Sequence, residues 1–89
     1  MEHSLFKALA DGNRRKILQL LKQGDMSVTD LQQHFSITQA SLSHHLDTLK
    51  RANLVLVERD GQFMKYSLNM SAFEEAAELL YDLFSHDNA

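Results

Sequence analysis

The 89-residue chain contains no cysteine and no proline. Without cysteine there is no disulfide framework, no thiolate metal site and no cysteine nucleophile. That fits a reducing cytoplasm, the compartment expected here. No proline-rich linker, repeat or low-complexity tract interrupts the chain, so it reads as a single domain over residues 1–89. No apolar run approaches the length of a membrane span, and membrane insertion is not expected. The start, MEHSLFKAL, lacks a signal-peptide pattern. A chain this short buries about two-thirds or less of the surface its unfolded form exposes. It is marginal alone, and spare apolar surface favours self-association.

Positive charge is also scarce, and unevenly placed. The formal net charge is −3. Residues 71–89 hold Glu74, Glu75, Glu78, Asp82 and Asp87 with no Lys or Arg, while residues 1–70 hold all nine basic residues against seven acids. Nucleic-acid binding depends on the local patch and not on the total. The basic part is weakly basic, which predicts modest affinity that falls steeply with salt.

The most informative stretch that is present runs from Thr38 to Leu54, TQASLSHHLDTLKRANL. Leu42, His45, Leu46 and Leu49 recur at i, i+3, i+4 and i+7, the buried stripe of an amphipathic helix. The other face carries Gln39, Ser41, Ser43, His44 and Lys50, short hydrogen-bonding groups and one cation. Amide, hydroxyl and imidazole groups of this kind reach base edges and phosphates in the DNA major groove. Asp47 is the exception, because a carboxylate near DNA is repulsive unless it accepts from cytosine N4 or pairs with a cation. Pairing with Lys50 or Arg51 is the expectation.

The rest of the chain builds around that helix. Ser4 to Ala10 (about residues 2–10) forms a short helix with Leu5, Phe6 and Leu9. Asp11 caps a second helix, Asn13 to Gln23, whose buried stripe is Ile17, Leu18 and Leu21. Gly24 ends it. Ser27 opens a third helix of about nine residues, with Asp30 completing an imperfect capping box, and Val28, Leu31 and Phe35 pointing inward. Ser36-Ile37 turns the chain and Thr38 caps the reading helix, which is helix-turn-helix spacing. Leu54 to Glu58 then reads as a strand, Asp60-Gly61 as a two-residue hairpin turn, and Gln62 to Leu68 as the return strand. Ser71 with Glu74 forms a capping box for the last helix, Ala72 to about Ser85. The fold class is mainly α with a β-hairpin wing: four helices, a hairpin and a final helix, a winged helix-turn-helix.

The last helix is too apolar to lie alone on a surface. Phe73, Ala76, Ala77, Leu80 and Phe84 form one stripe, widened by Leu79 and Leu83. Both chain ends therefore read as a homodimer interface, with Leu5, Phe6, Leu9, Phe73, Ala77, Leu80 and Phe84 as its residues. Two-fold symmetry would place two reading helices about 34 Å apart, facing a palindromic site.

The chain resembles the ArsR/SmtB family of bacterial winged-helix repressors, in its metal-independent, autorepressor-like branch. The resemblance rests on LFKALADGNRRKIL, SVTDLQQHF, SITQASLSHHLDTLKRANLV and RDGQFMKYSL, and covers nearly the whole chain. It implies a dimeric repressor of its own operon, released from a promoter palindrome by an inducer or an anti-repressor protein. It also implies DNA contacts by Thr38, Gln39, Ala40, Ser41, Ser43 and His44, with wing contacts from Arg59 and Gln62. Two departures stand out. Asp11-Gly12-Asn13-Arg14 replaces the usual Asp-Pro-Thr-Arg, trading a preorganised first helical residue for a floppier one. Ser27-Val28-Thr29-Asp30-Leu31 replaces the Cys-Val-Cys-Asp-Leu of thiolate-sensing relatives, and hydroxyls do not replace thiolates for soft metals.

Other candidates have plainer readings. Adjacent helical residues point about 100° apart, so His44 and His45 do not share one ion. His45 reads as a hydrogen-bonded core residue, His44 as a DNA contact, and His34 as a cap or cover of the third helix. Glu78, Asp82 and His86 share a face of the last helix; a solvated acidic face is the ordinary reading and a zinc site the alternative, so no metal or cofactor is expected. Ser43 beside His44 has no orienting acid or oxyanion donor, and an enzyme is not expected. Lys50-Arg51 is either a solvated helix end or a phosphate clamp. Arg14, Arg15 and Lys16 are similarly open, with at least one expected to meet DNA phosphate. The competing function is a winged-helix protein-interaction module, which predicts an apolar reading helix.

Overall fold

A computed structural model describes residues 2–85, with side chains from Ser4 onward. The helices are α1 (Glu2–Leu9), α2 (Gly12–Leu21), α3 (Val28–Gln32), α4 (Gln39–Arg51) and α5 (Met70–Phe84). Strand β1 (Met26–Ser27) precedes α3, and β2 (Val55–Asp60) and β3 (Phe63–Leu68) lie between α4 and α5.

The expected two-stranded wing is part of a three-stranded antiparallel sheet in the order β1-β3-β2. Met26 pairs with Tyr66 and Ser27 with Lys65, so β1 anchors the inner edge of the hairpin beside α3. A strand of two residues has no period to read, which is why the sequence does not announce it. In the hairpin, Asp60 pairs with Phe63, so the loop is Gly61-Gln62 and not Asp60-Gly61. Gly61 has φ +65 while Gln62 does not enter the left-handed region. That is the pattern of a type II′ turn, which wants glycine first.

Capping residues set the helix starts. The Asp11 carboxylate accepts from the Asn13 and Arg14 N–H groups at 2.8 and 3.2 Å. The imperfect box at α3 forms in full: Asp30 N–H donates to Ser27 Oγ at 3.1 Å, and Ser27 N–H to Asp30 Oδ2 at 3.4 Å. Thr38 Oγ1 accepts from Ser41 N–H at 3.0 Å and opens α4. The box expected at Ser71 does not start α5. That helix begins two residues earlier, at Met70 after Asn69, without a side-chain cap, and Asn69 Nδ2 donates to the Asn53 carbonyl at 2.9 Å. Helix α2 stops at Leu21, short of Gln23. Helix α3 has five residues where about nine were expected; successive i→i+3 bonds from Gln33, His34 and Phe35 tighten its end into a turn.

The core lies where α2, α3 and α4 converge on the start of β2. Ile17, Leu31, Leu42, Leu46, Leu49, Leu54 and Val55 are fully buried there. Ala8 brings α1 onto the same cluster, and Leu5, Leu9, Val28, Phe35, Ala72 and Phe73 pack against its edges. Helix α5 contributes no buried residue, and the molecule is elongated, 53 × 24 × 21 Å.

Candidate nucleic-acid interface

Helix α4 presents two opposite stripes. Leu42, His45, Leu46 and Leu49 are buried. Ala40, His44, Asp47 and Arg51, at i, i+4, i+7 and i+11, are all exposed. At 100° per residue the second stripe lies opposite the first. Gln39, Ser43 and Lys50 flank it as exposed side chains, and Thr38 is exposed at the cap. Ser41 is half-buried, and its N–H closes the Thr38 cap. The predicted reading residues thus share one accessible face. Arg51 and Asp47 sit near its centreline; the sequence singled out Asp47 as an ill-suited carboxylate and Arg51 as its partner or a phosphate clamp, without placing either at the centre of the face.

The expected Asp47 pairing forms with Arg51, whose Nε lies 3.0 Å from Asp47 Oδ2. Asp47 is also felt across the groove between α4 and the sheet. Burial, and then the Asp47 charge, raise the Tyr66 hydroxyl above its ordinary pKa. On the hairpin, Arg59 and Gln62 are exposed at the tip with Phe63 and Met64. Lys65 Nζ lies 3.6 Å from Asp60 Oδ2.

The basic run at the start of α2 is engaged with backbone carbonyls of neighbouring elements. Arg14 is 9% exposed. Its Nε donates to the Ala8 carbonyl at 2.8 Å and its Nη2 to the Lys7 carbonyl at 2.9 Å. Both belong to the last turn of α1, where carbonyls run out of intrahelical donors; the Lys7 carbonyl also accepts from the Ala10 N–H at 3.2 Å. Its Nη1 lies 3.1 Å from His45 Nδ1. A guanidinium only donates, so His45 Nδ1 accepts and its proton sits on Nε2. This bears out His45 as a hydrogen-bonded core residue. Arg15 Nη1 donates to the Leu9 carbonyl at 2.7 Å. Lys16 Nζ donates to the His34 carbonyl at 2.6 Å and stands 4.7 Å from the Phe35 ring centroid. Together these three hold α1 and the α3 turn onto α2, with Arg14 buried in that role and Arg15 and Lys16 still exposed. His34 joins through its carbonyl, and its side chain is exposed.

Asp11, beside His45 at 3.9 Å, has its carboxyl below the usual carboxylate range. Burial acts to raise it, but the Arg14 and Asn13 N–H groups and the Arg14 charge outweigh it. Ser27, in the place of a family thiolate, is buried and occupied in capping α3.

Of the residues expected at the dimer interface, Leu5, Leu9 and Phe73 are partly packed on the core. Phe6, Ala77, Leu80 and Phe84 are exposed. A groove of about 490 Å³ opens between α1, the end of α4 and α5, walled by Leu5, Leu54, Ala72, Ala76 and Leu79 with Glu75 at its side; no sequence signal pointed to it. Glu78 and Asp82 are exposed on α5, and His86 lies outside the described residues. Among the described residues no three metal-ligating side chains come together, and no helix is long and apolar enough to cross a membrane.

A helix-turn-helix with a polar outer face and a hairpin beside it defines a winged helix-turn-helix, here a DNA-binding transcriptional regulator. The chain belongs to the family described as "Bacterial regulatory protein, arsR family", whose profile matches residues 11–56. It is 47% identical over 74 residues to the transcriptional repressor SdpR of Bacillus subtilis, spanning 83% of this chain and 82% of that protein. It is 33% identical over 84 residues to the transcriptional activator HlyU of Vibrio cholerae, spanning 94% and 78%. The solved HlyU structure from Vibrio cholerae superposes with a TM-score of 0.75 at 32% identity, covering 93% of this chain and 90% of that one. A possible transcriptional regulator for arsenical resistance reaches 0.81 at 29%, covering 92% and 85%.

Proposed function

We propose that the chain is a homodimeric repressor of its own operon that binds a palindromic operator. The observation that carries this reading is the exposed polar stripe of α4 lying opposite a fully buried leucine stripe. In this reading Gln39, Ser43 and His44 read bases or position phosphates, with Thr38, Ala40, Ser41 and Lys50 around them, and Arg59 and Gln62 hold the wing on the adjacent groove. The polar face speaks against the protein-interaction module, which needs an apolar one. Repression and not activation is favoured by the likeness to a repressor at 47% identity.

Dimerisation is supported by α5, which has no fully buried residue in its own protomer and exposes Leu80, Leu83 and Phe84. Residues 2–10 and 72–85 of the single domain form that interface. The protein works in the cytoplasm, has no enzymatic role, needs no cofactor, and is released by an inducer or an anti-repressor protein. The zinc-responsive alternative would use Glu78, Asp82 and His86; sub-micromolar, stoichiometric zinc binding in calorimetry would establish it.

The test is a mobility-shift titration on the gene's own upstream DNA across salt concentrations. Affinity should fall steeply with salt. Gln39→Ala and His44→Ala should each weaken specific binding by about 1–3 kcal/mol. Unchanged footprints and affinities in both variants would refute the assignment.

A further inference from the structure

We propose that Asp47 is a specificity-determining residue: it selects operator half-sites that present a base amine, cytosine N4 before adenine N6, to the third turn of α4. The inference rests on the reading of α4 as the DNA-reading helix. The stripe Ala40, His44, Asp47, Arg51 lies opposite the buried leucines. It is therefore the line of side chains that faces the floor of a groove when α4 lies in one. The four residues span about 16 Å of helix axis, at 1.5 Å per residue. Asp47 is the acceptor-only group among them.

An aspartate in that place discriminates by its chemistry. In the major groove cytosine offers the N4 amine and adenine the N6 amine, whereas guanine presents O6 and N7, and thymine O4. A carboxylate accepts from the first pair and faces lone pairs in the second. Phosphates repel it at every sequence, so a misplaced Asp47 lowers affinity everywhere except where a base amine meets it. Arg51 moderates that cost. Its Nε lies 3.0 Å from Asp47 Oδ2, with the two side chains 81% and 53% exposed. A pair this open neutralises the helix face without withdrawing the carboxylate from solvent or from a base. The next acid on α4 would have to be sought elsewhere, for none exists in Gln39–Arg51 apart from Asp47.

The experiment is selection of binding sites from a random duplex library by the full chain, followed by affinity measurements on single-base variants of the recovered site. Wild type should fix one cytosine, or less strongly adenine, at a symmetric position in each half-site. Asp47→Ala should lose discrimination at that position by about ten-fold, keep the other positions, and bind unrelated DNA more tightly. Asp47→Asn, which adds a donor, should move the preference towards adenine. Arg51→Ala should weaken all sites together and leave the preferred base unchanged. The proposal is overturned if Asp47→Ala recovers the wild-type motif with the same discrimination, or if every position relaxes equally. A wild-type motif unaffected by Asp47→Ala would defeat this inference alone. Recovery of no motif by wild type would defeat the reading of α4 itself, and this inference with it.

Discussion

Helices α4 and α5 carry similar apolar stripes and meet opposite fates. Leu42, Leu46 and Leu49 of α4 are 0–1% exposed, whereas Leu80, Leu83 and Phe84 of α5 are 43, 61 and 73% exposed. The difference lies in what surrounds them. Helix α4 is enclosed by α2, α3 and β2, and its outward face is polar. Helix α5 packs Ala72 and Phe73 on the edge of the core, keeps Ala76 and Leu79 half-buried, and presents Ala77, Leu80, Leu83 and Phe84 to solvent. An amphipathic pattern therefore states that a face is to be covered, while topology decides whether the same chain covers it.

Four substitutions sharpen that contrast. Leu46→Ala removes a side chain from a closed core and should destabilise the fold by about 2–5 kcal/mol in urea unfolding. Arg14→Met strands the Ala8 carbonyl and the acceptor nitrogen of His45, and should lower stability by about 1–3 kcal/mol. Asp11→Ala removes the α2 cap and should lower stability by about 1 kcal/mol at neutral pH. Because the folded carboxyl is held below its ordinary range, its contribution is present above the unfolded value near pH ~3.9 and disappears as pH drops through the lower folded one. Unfolding curves of wild type and Asp11→Ala should converge in acid below about pH 4. Leu80→Glu should change the stability of an isolated protomer by less than about 0.5 kcal/mol and shift sedimentation from dimer to monomer. A loss as large as that of Leu46→Ala would mean that α5 is packed on its own domain after all.

Much of this architecture was legible in the residues. The leucine stripe of α4, the caps at Asp11, Ser27 and Thr38, and the hairpin all follow from short-range patterns, and all appear. What could not be read was set by distant partners. Strand β1 exists because β3 pairs with it. Arg14 looks like any surface cation until α1 folds back and offers its terminal carbonyls. The Ser71 box lost to Asn69, whose side chain is engaged 16 residues away. For the reading face, hydrogen-bonding side chains were recognisable one by one. The centreline through Asp47 and Arg51 is fixed by the same leucine stripe, read from its opposite side.

Asn53 and Asn69 form a mechanical link between α4 and α5. Asn53 holds φ at +68 just past the end of α4, a conformation asparagine tolerates better than most residues. Its carbonyl is gripped by Asn69, and the Asn69 N–H in turn holds the Leu54 carbonyl at 3.0 Å. The hairpin leaves and returns through this single clasp. A tilt imposed on α5 by whatever seats against it would thus be delivered as torque to the tail of α4, with the wing swinging as a passenger.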